Sequence, residues 1–401
     1  MNKKLQIVTT YIYIFLLVAF SGNPIFSPTD DPFSRLTLSV LVLVLAIRHI
    51  SYFDFKRGYH YFIFLLFFIP IFILQKIFLG FVSIFGTIGF LSKLTLGYIV
   101  IRYLGSNFKF AYFNLIFIIS LISLFGYAWN YLGNDIPAIY IEENTTPYAD
   151  NSGRNIILFH QLSDGLRNSG MFWEPGAFAC YINLVFLFYI GKIKPLLENN
   201  RLKVIIILLA LLTTYSTTGY IVLFLIGLVT IYIEYSKKYG ILVIPLFLVF
   251  SVIAIVTYEN SEFLKEKIDN QFEVASNRDK GEFAPDRISA FLFDFHYIKK
   301  HPLIGNGLHS KTRFADHPWL QGETLGHGNG FSNFVASMGL LSLFFYSYLI
   351  LKNKKKYSWI FILGIFTTLQ GEPLMNFPLY LSLPFVFIYE RNRRRTTNLS
   401  Q

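Results

Sequence analysis

The chain is poor in charge, nearly devoid of cysteine, and lacks the common signatures of soluble enzymes. Only 15% of its 401 residues are charged, too few to solvate the surface of an ordinary water-soluble protein. The single cysteine, Cys180, rules out an intramolecular disulfide, so cysteine usage carries no information about redox compartment. There is no P-loop, no Gly-x-Gly-x-x-Gly and no His-Glu-x-x-His, which removes the usual phosphate cradle, dinucleotide fold and zinc-protease helix. Asp-x-Asp is also missing, so the metal-diphosphate ligand pair of nucleotide-sugar transferases is absent. No repeat of fixed period and no low-complexity tract is present.

What is present is apolar. Hydrophobic residues make up 54% and aromatics 18%, with 44 Phe and 26 Tyr, and the mean hydropathy is +0.48. Runs near the ~20 residues needed to cross a bilayer fall at roughly 5–20, 36–50, 60–79, 81–104, 108–133, 171–190, 202–215, 219–235, 239–257, 330–350, 357–371 and 374–390. The expectation is an all-α polytopic membrane protein of about 12 transmembrane helices, forming a single multi-pass domain over 1–401. Residues 3–22 resemble a signal peptide, but the orientation works when they are kept as an uncleaved first span.

The charges between the runs alternate. Lys3 and Lys4, Arg48, Lys56 and Arg57, Arg102 and Lys109, Lys192, Lys194, Arg201 and Lys203, Lys237 and Lys238, the 352–356 lysines and the 391–395 arginines occupy every second gap. Only Asp54, Glu198, Glu234 and Glu390 oppose them there. Most other acids and six of the eight His fall in the remaining gaps. The positive-inside rule makes the basic side cytoplasmic, with both termini on it. The net charge of +11 is then a topology signal and a tether to anionic lipid headgroups. It implies no nucleic acid, because no soluble module carries a basic cluster.

Two segments are large enough to hold chemistry outside the bilayer, the outer loops 134–170 and 258–329. The first ends in Arg167-Asn168-Ser169-Gly170-Met171-Phe172-Trp173-Glu174-Pro175-Gly176. Glu174 sits where a helix would begin, with Pro175 at its first position. One reading is a helix cap plus an interfacial ion pair with Arg167. The other is that an acid at the bilayer edge is expensive and kept for a function. In the second loop, 286–300 is amphipathic, with Ile288, Phe291, Leu292, Phe295 and Ile298 on one stripe. Asp286 can cap this helix. Arg287, in its first turn, is disfavoured by the macrodipole and needs an anion. That anion is Asp286, Asp294 or a ligand.

The same loop continues through His301-Pro302-Leu303-Ile304-Gly305-Asn306-Gly307 and closes with Gly326-His327-Gly328-Asn329-Gly330. A His between glycines has little packing value, so His327 reads as functional. His296, His301, His309 and His317 match no standard zinc spacing, and neither a metal nor a cofactor is expected.

Taken in order, Arg-x-x-Gly-x-Phe-x-Glu-Pro-Gly, Ser216-Thr217-Thr218-Gly219-Tyr220, the Arg287-led helix running into His-Pro-Leu-Ile-Gly-x-Gly, His-Gly-Asn-Gly and Gly339-Leu340 resemble the bacterial O-antigen and polysaccharide polymerase (Wzy-type) and O-antigen ligase superfamily. The resemblance covers roughly 150–350. It implies a helical fold of the lipid-dependent glycosyltransferase type, with a large extracytoplasmic loop over a central cavity. It also implies sugar donated from undecaprenyl diphosphate. On it, Arg287 matches the family's donor-binding Arg and His327 its His beside an Asn. Family members often place an Arg in the short-span break, where this chain has Ser216-Thr217-Thr218. Arg167 or Arg313 then supplies that charge. His327 or Glu174 is the candidate base, and Asn329 and His301 are candidates for the acceptor sugar. The Glu-Pro-Gly stretch favours a polymerase of O-antigen, capsule or exopolysaccharide. A ligase transferring polymer to the lipid A core is the alternative. Partners would be membrane lipids and the pathway's chain-length regulator and flippase. A flippase or other transporter is the competing class. It would keep charges at the bilayer midplane in repeated broken helices, whereas here they cluster in the outer loops.

Overall fold

The computed structural model describes residues 3–26, 32–132, 139–140, 153–154, 167–239, 245, 287–320, 328–354 and 356–398. The first five helices are α1 (Lys3–Ala19), α2 (Pro32–Arg48), α3 (Phe55–Leu79), α4 (Ile84–Leu104) and α5 (Phe108–Tyr131). Next come α6 (Pro175–Phe188), α7 (Ile193–Leu212), α8 (Thr217–Tyr239) and α9 (Arg287–Lys300). The chain closes with α10 (Gly330–Asn353), α11 (Ser358–Leu369) and α12 (Leu383–Asn398). The only strand pairing among the described residues is a two-residue antiparallel ladder, Ile139–Tyr140 against Gly153–Arg154. The fold is therefore helical, as the periodicity predicts.

Local chemistry sets the boundaries. Asp54 accepts from Lys56 N at 3.2 Å to start α3, and Gly80 ends it in the left-handed region (φ 71°), a conformation that favours glycine. Ser83 caps α4 through Gly86 N at 3.1 Å, and Asn329 caps α10 through Ser332 N at 3.0 Å. These caps satisfy amide groups that helix starts leave open.

Four stretches among the described residues are long and apolar enough to cross a membrane: Gly58–Leu79, Ile84–Tyr131, Thr217–Glu234 and Gly330–Asn353. The second holds both α4 and α5, joined by a short 3-10 turn. Residues such as Leu66, Phe85, Ile88, Phe125 and Phe344 are exposed on these helices, as a lipid-facing surface requires. Other expected spans are shorter apolar helices: Lys4–Ala19, Leu36–Arg48, Pro175–Phe188 and Ser358–Leu369. The run expected at 374–390 is not one helix. It is a turn at Leu374–Asn376, a single helical turn at Pro378–Leu381, and then α12. The run at 239–257 lies outside the described residues, apart from its first residue and position 245.

The shortness of α6 has a cause. Every α6 residue except Gly176 is buried, so it is a core helix surrounded by others rather than a lipid-facing span. Its approach, 167–174, is non-helical, and its polar groups are met by protein. Asn168 N donates to Thr213 O at 2.9 Å, Asn168 Nδ2 to Thr213 Oγ1 at 2.9 Å, and Asn23 Nδ2 to Met171 O at 2.8 Å. Irregular backbone at membrane depth is tolerated only where such partners exist.

A second break ties the outer loop to the bundle. α10 is interrupted at Gly339 (φ 78°, ψ 166°), and the Pro302–Gly307 turn seats in the gap. Asn306 N and Gly307 N donate to Ala336 O and Ser337 O at 2.8 and 3.0 Å. Leu340 N and Leu341 N donate back to Pro302 O and Leu303 O at 2.8 and 3.2 Å. Gln75 Nε2 on α3 bridges Ile304 O and Ser337 O at 2.7 and 2.9 Å. The two sequence motifs, His-Pro-Leu-Ile-Gly-x-Gly and Gly339-Leu340, are thus halves of one backbone joint.

A side chain at Gly305 would place its Cβ 2.5 Å from the Ser337 carbonyl carbon, at a φ of 73°. The left-handed backbone alone costs an L-residue about 1–2 kcal/mol, and the clash adds to it. Gly305→Ala is therefore expected to lower the thermal unfolding midpoint of the detergent-purified protein. An unchanged midpoint would mean the turn is not seated in α10.

Candidate functional site

The site is built where three helix starts face a turn. Pro175 occupies the first position of α6, and Glu174 precedes it with extended backbone (φ −155°, ψ 162°). The Glu174 side chain makes no capping hydrogen bond, so the helix-cap reading of this residue does not hold. Nor is there an Arg167–Glu174 ion pair among the described residues. Instead the Glu174 carboxyl turns to Glu372, in the Gly371-Glu372-Pro373 turn after α11. A Cβ on Gly176 would lie 2.5 Å from Glu372 Oε1 and 3.3 Å from Glu174 Oε1. Glycine at 176 makes the room in which the two carboxyls meet.

Glu372 is 3% exposed. Burial, and then the adjoining Glu174 carboxyl to which it is hydrogen-bonded, hold its carboxyl well above the usual carboxylate range. Attraction by Arg287 and a hydrogen bond from the Trp173 indole act in the opposite sense, because both favour the charged form. Arg287 reaches the cluster from the first turn of α9. A Cβ on Gly371 would lie 3.4 Å from Arg287 Nη2 and 3.3 Å from Thr218 Oγ1, which places the guanidinium beside the first turn of α8. Glu372 is an acidic residue on which the Arg287 charge acts. Asp294 is engaged elsewhere, and Asp286 lies outside the described residues.

Arg167 reaches the other end of the same α7–α8 break. Its Nε donates to Thr214 O at 3.2 Å and its Nη2 to Tyr215 O at 3.4 Å. Tyr215 itself has a positive φ of 48°, a strained state for a bulky residue that is found at functional sites. Ser216 closes the break by accepting from Gly219 N at 3.1 Å. The Phe377 ring stacks on Trp173 at 5.0 Å, and Lys93 Nζ, inside α4, lies 5.9 Å from the Phe377 ring centroid.

The other expected site residues are placed differently. Arg313 is buried in an ion pair with Asp294, 4% and 0% exposed, and Ser332 Oγ donates to the second Asp294 oxygen at 2.5 Å. The ion pair ties α9 to the Ser310–Arg313 turn, and the Ser332 bond ties it to α10. Asn329 spends its amide on the α10 cap and on Gln370 Oε1 at 2.8 Å. His301 is half-buried, following α9. His327 lies outside the described residues. His296 Nε2 contacts Asp316 Oδ2 at 2.6 Å, and Lys300 bonds the same oxygen. Those two hydrogen bonds, Lys300 first, hold the Asp316 carboxyl below its ordinary range. His317 Nδ1 is 2.6 Å from the Tyr297 hydroxyl. Among the described residues no group of three His, Cys, Asp or Glu could hold a metal ion.

Glu372 escaped the reading of the sequence. Its signal is an acid-proline step, Gly371-Glu372-Pro373, that mirrors Glu174-Pro175-Gly176 between two apolar runs. Only packing brings the two steps together.

Residues 202–347 match the family model described as O-antigen ligase. This match agrees with the resemblance to the polymerase and ligase superfamily. No curated protein and no solved structure matches the chain significantly. The matched segment contains the α7–α8 break, Arg287 and the α10 joint. Glu174, Arg167 and Glu372 lie outside it.

Removing one member of a buried ion pair typically costs about 3–5 kcal/mol, whereas an apolar replacement of both is far milder. Asp294→Asn is expected to reduce the folded yield sharply, and the double variant Asp294→Leu, Arg313→Met to recover most of it. Size-exclusion profiles of tagged protein report both. Equal yields for wild type and Asp294→Asn would remove the structural role.

Proposed function

We propose that the protein is a polymerase that joins undecaprenyl-diphosphate-linked oligosaccharide repeat units on the outer face of the cytoplasmic membrane. The observation that carries this reading is that Arg167 and Arg287 reach the two ends of the α7–α8 break, Arg287 beside Glu372. A lipid-linked donor holds its diphosphate at the membrane–water interface, because its tail is in the bilayer. Two guanidinium groups and the start of α8 suit that anion. The clamp would also stabilise the leaving diphosphate as the anomeric bond breaks. The acceptor hydroxyl attacks the anomeric carbon and a new carbon–oxygen bond forms. The old bond's electron pair leaves with undecaprenyl diphosphate, and the hydroxyl proton passes to His327 or Glu174. Arg313 is left out of the clamp in this reading, because Asp294 already neutralises it. His301 and Asn329 would shape the acceptor side through the backbone they hold.

The reading carries a topology of 12 spans, cytoplasmic termini, and the 134–170 and 258–329 loops outside. Cysteines introduced at 150 and 280 are expected to react with impermeant reagents applied to whole cells without permeabilising the inner membrane. Protection of either would end the reading. The Glu-Pro-Gly stretch favours polymerase over ligase. A deletion strain should then carry single-repeat caps on its surface lipid, whereas free lipid-linked polymer over bare core would mean ligase.

Arg287→Lys is expected to stay defective, since a point charge does not reproduce a bidentate fork. His327→Ala should be inserted and abundant, yet slower by about 10²-fold or more if it is the base. Near-normal polymer from both variants at matched protein levels would move the chemistry away from these residues.

A further inference from the structure

We infer that Glu372 is a positioning residue that holds one proton jointly with Glu174, so that the two carboxyls act as a single half-ionised unit facing the acceptor. This rests on the transferase reading above and deepens it. The two acids stand on separate chain segments, α6's approach and the turn after α11, yet both line the gap left by Gly176. Among the described residues, the groups around Glu372 come from several elements. From α6 and its approach come Glu174, the Trp173 indole, Cys180 and Tyr181. From α9 comes Arg287, and from α8 the neutral Thr218. At the α11 end, two residues before Glu372, Gln370 accepts from Asn329 at the start of α10 at 2.8 Å.

The charge balance decides the protonation. Among the described residues, Arg287 is the cation that acts on Glu372, which the Glu174 carboxyl adjoins, and a charge buried without a partner is very costly. Like charges in contact raise one of the pair. Burial and the Glu174 carboxyl push Glu372 upward, which agrees in direction. A proton on Glu372 lets it donate to Glu174 and aim it. Glu174, more exposed than Glu372, then keeps an open oxygen for the acceptor hydroxyl. As the acceptor oxygen bonds the anomeric carbon, its proton moves to that Glu174 oxygen, and the bond to the diphosphate breaks with its electron pair on the leaving group. Charge is conserved, and no co-reactant is needed.

The test uses full-length protein in nanodiscs, with lipid-diphosphate repeat units extracted from a strain deleted for the gene. Glutamine imitates a protonated Glu372, so Glu372→Gln should keep most of the rate near neutral pH. Glu372→Ala and Glu174→Gln should each lose about 10²-fold, the scale of a lost proton-transfer group. The wild-type rate should fall as pH rises through loss of the shared proton, and Glu372→Gln should not show that fall. Glu372→Gln as defective as Glu174→Gln at every pH, with equal folded protein, would overturn the inference. So would an unaltered alkaline fall.

A readout independent of turnover is the infrared carbonyl stretch of a protonated carboxylic acid at neutral pH. It should be present in wild type, absent in Glu372→Gln and shifted in Glu174→Gln. If Glu372→Gln does not fold, the shift in Glu174→Gln decides the same question. A band identical in wild type and the variants that fold, or no band in wild type, would overturn the shared proton. Wild type that forms no polymer but shows the band would sink the polymerase reading and leave the pair standing.

Discussion

The arrangement depends on one backbone joint, the seating of the Pro302–Gly307 turn in the break of α10 at Gly339. Four main-chain hydrogen bonds and the Gln75 amide cross it. Without them, the break would leave amides and carbonyls unpaired in a low-dielectric interior, at several kcal/mol each. With them, α9 is held against α10, and the Asp294–Arg313–Ser332 network completes the weld. Arg287 at the start of α9 is thereby delivered to the Gly371 turn. The joint serves the site without contributing a side chain to it.

The second organising constraint is space. Gly176 and Gly371 each stand where a side chain would strike the functional groups. Gly330 likewise has no room for a side chain against the Glu372 backbone. These close approaches bring the starts of α6, α8 and α10 to one small region with the turn after α11. Helix starts carry partial positive charge, which suits a diphosphate and tolerates the carboxyls beside it. Trp173 stacks on Phe377, and Lys93 Nζ lies 5.9 Å from the same Phe377 ring.

The matched segment and the acid pair come from different parts of the chain. The break after α7, Arg287 and the α10 joint lie inside residues 202–347. Glu174 and Glu372 enter from beyond both ends of it. Folding alone brings these parts together.

The amino-acid sequence by itself determined the helical class, most helix positions and the residues worth testing. Periodicity and apolar length are local properties, legible without a partner. It also placed Arg287 at a helix start in need of an anion, because a macrodipole is local too. Contacts between distant segments were beyond it. The runs at 171–190 and 374–390 were expected as full spans. One became a core helix with an irregular approach and the other a broken segment, because neighbours supplied partners for the exposed backbone. Arg313 looked like a ligand-binding cation until Asp294 was found opposite it. Only packing sets Glu372 against Glu174. A charge has a role only once its neighbours are known, and those neighbours come from the tertiary structure alone.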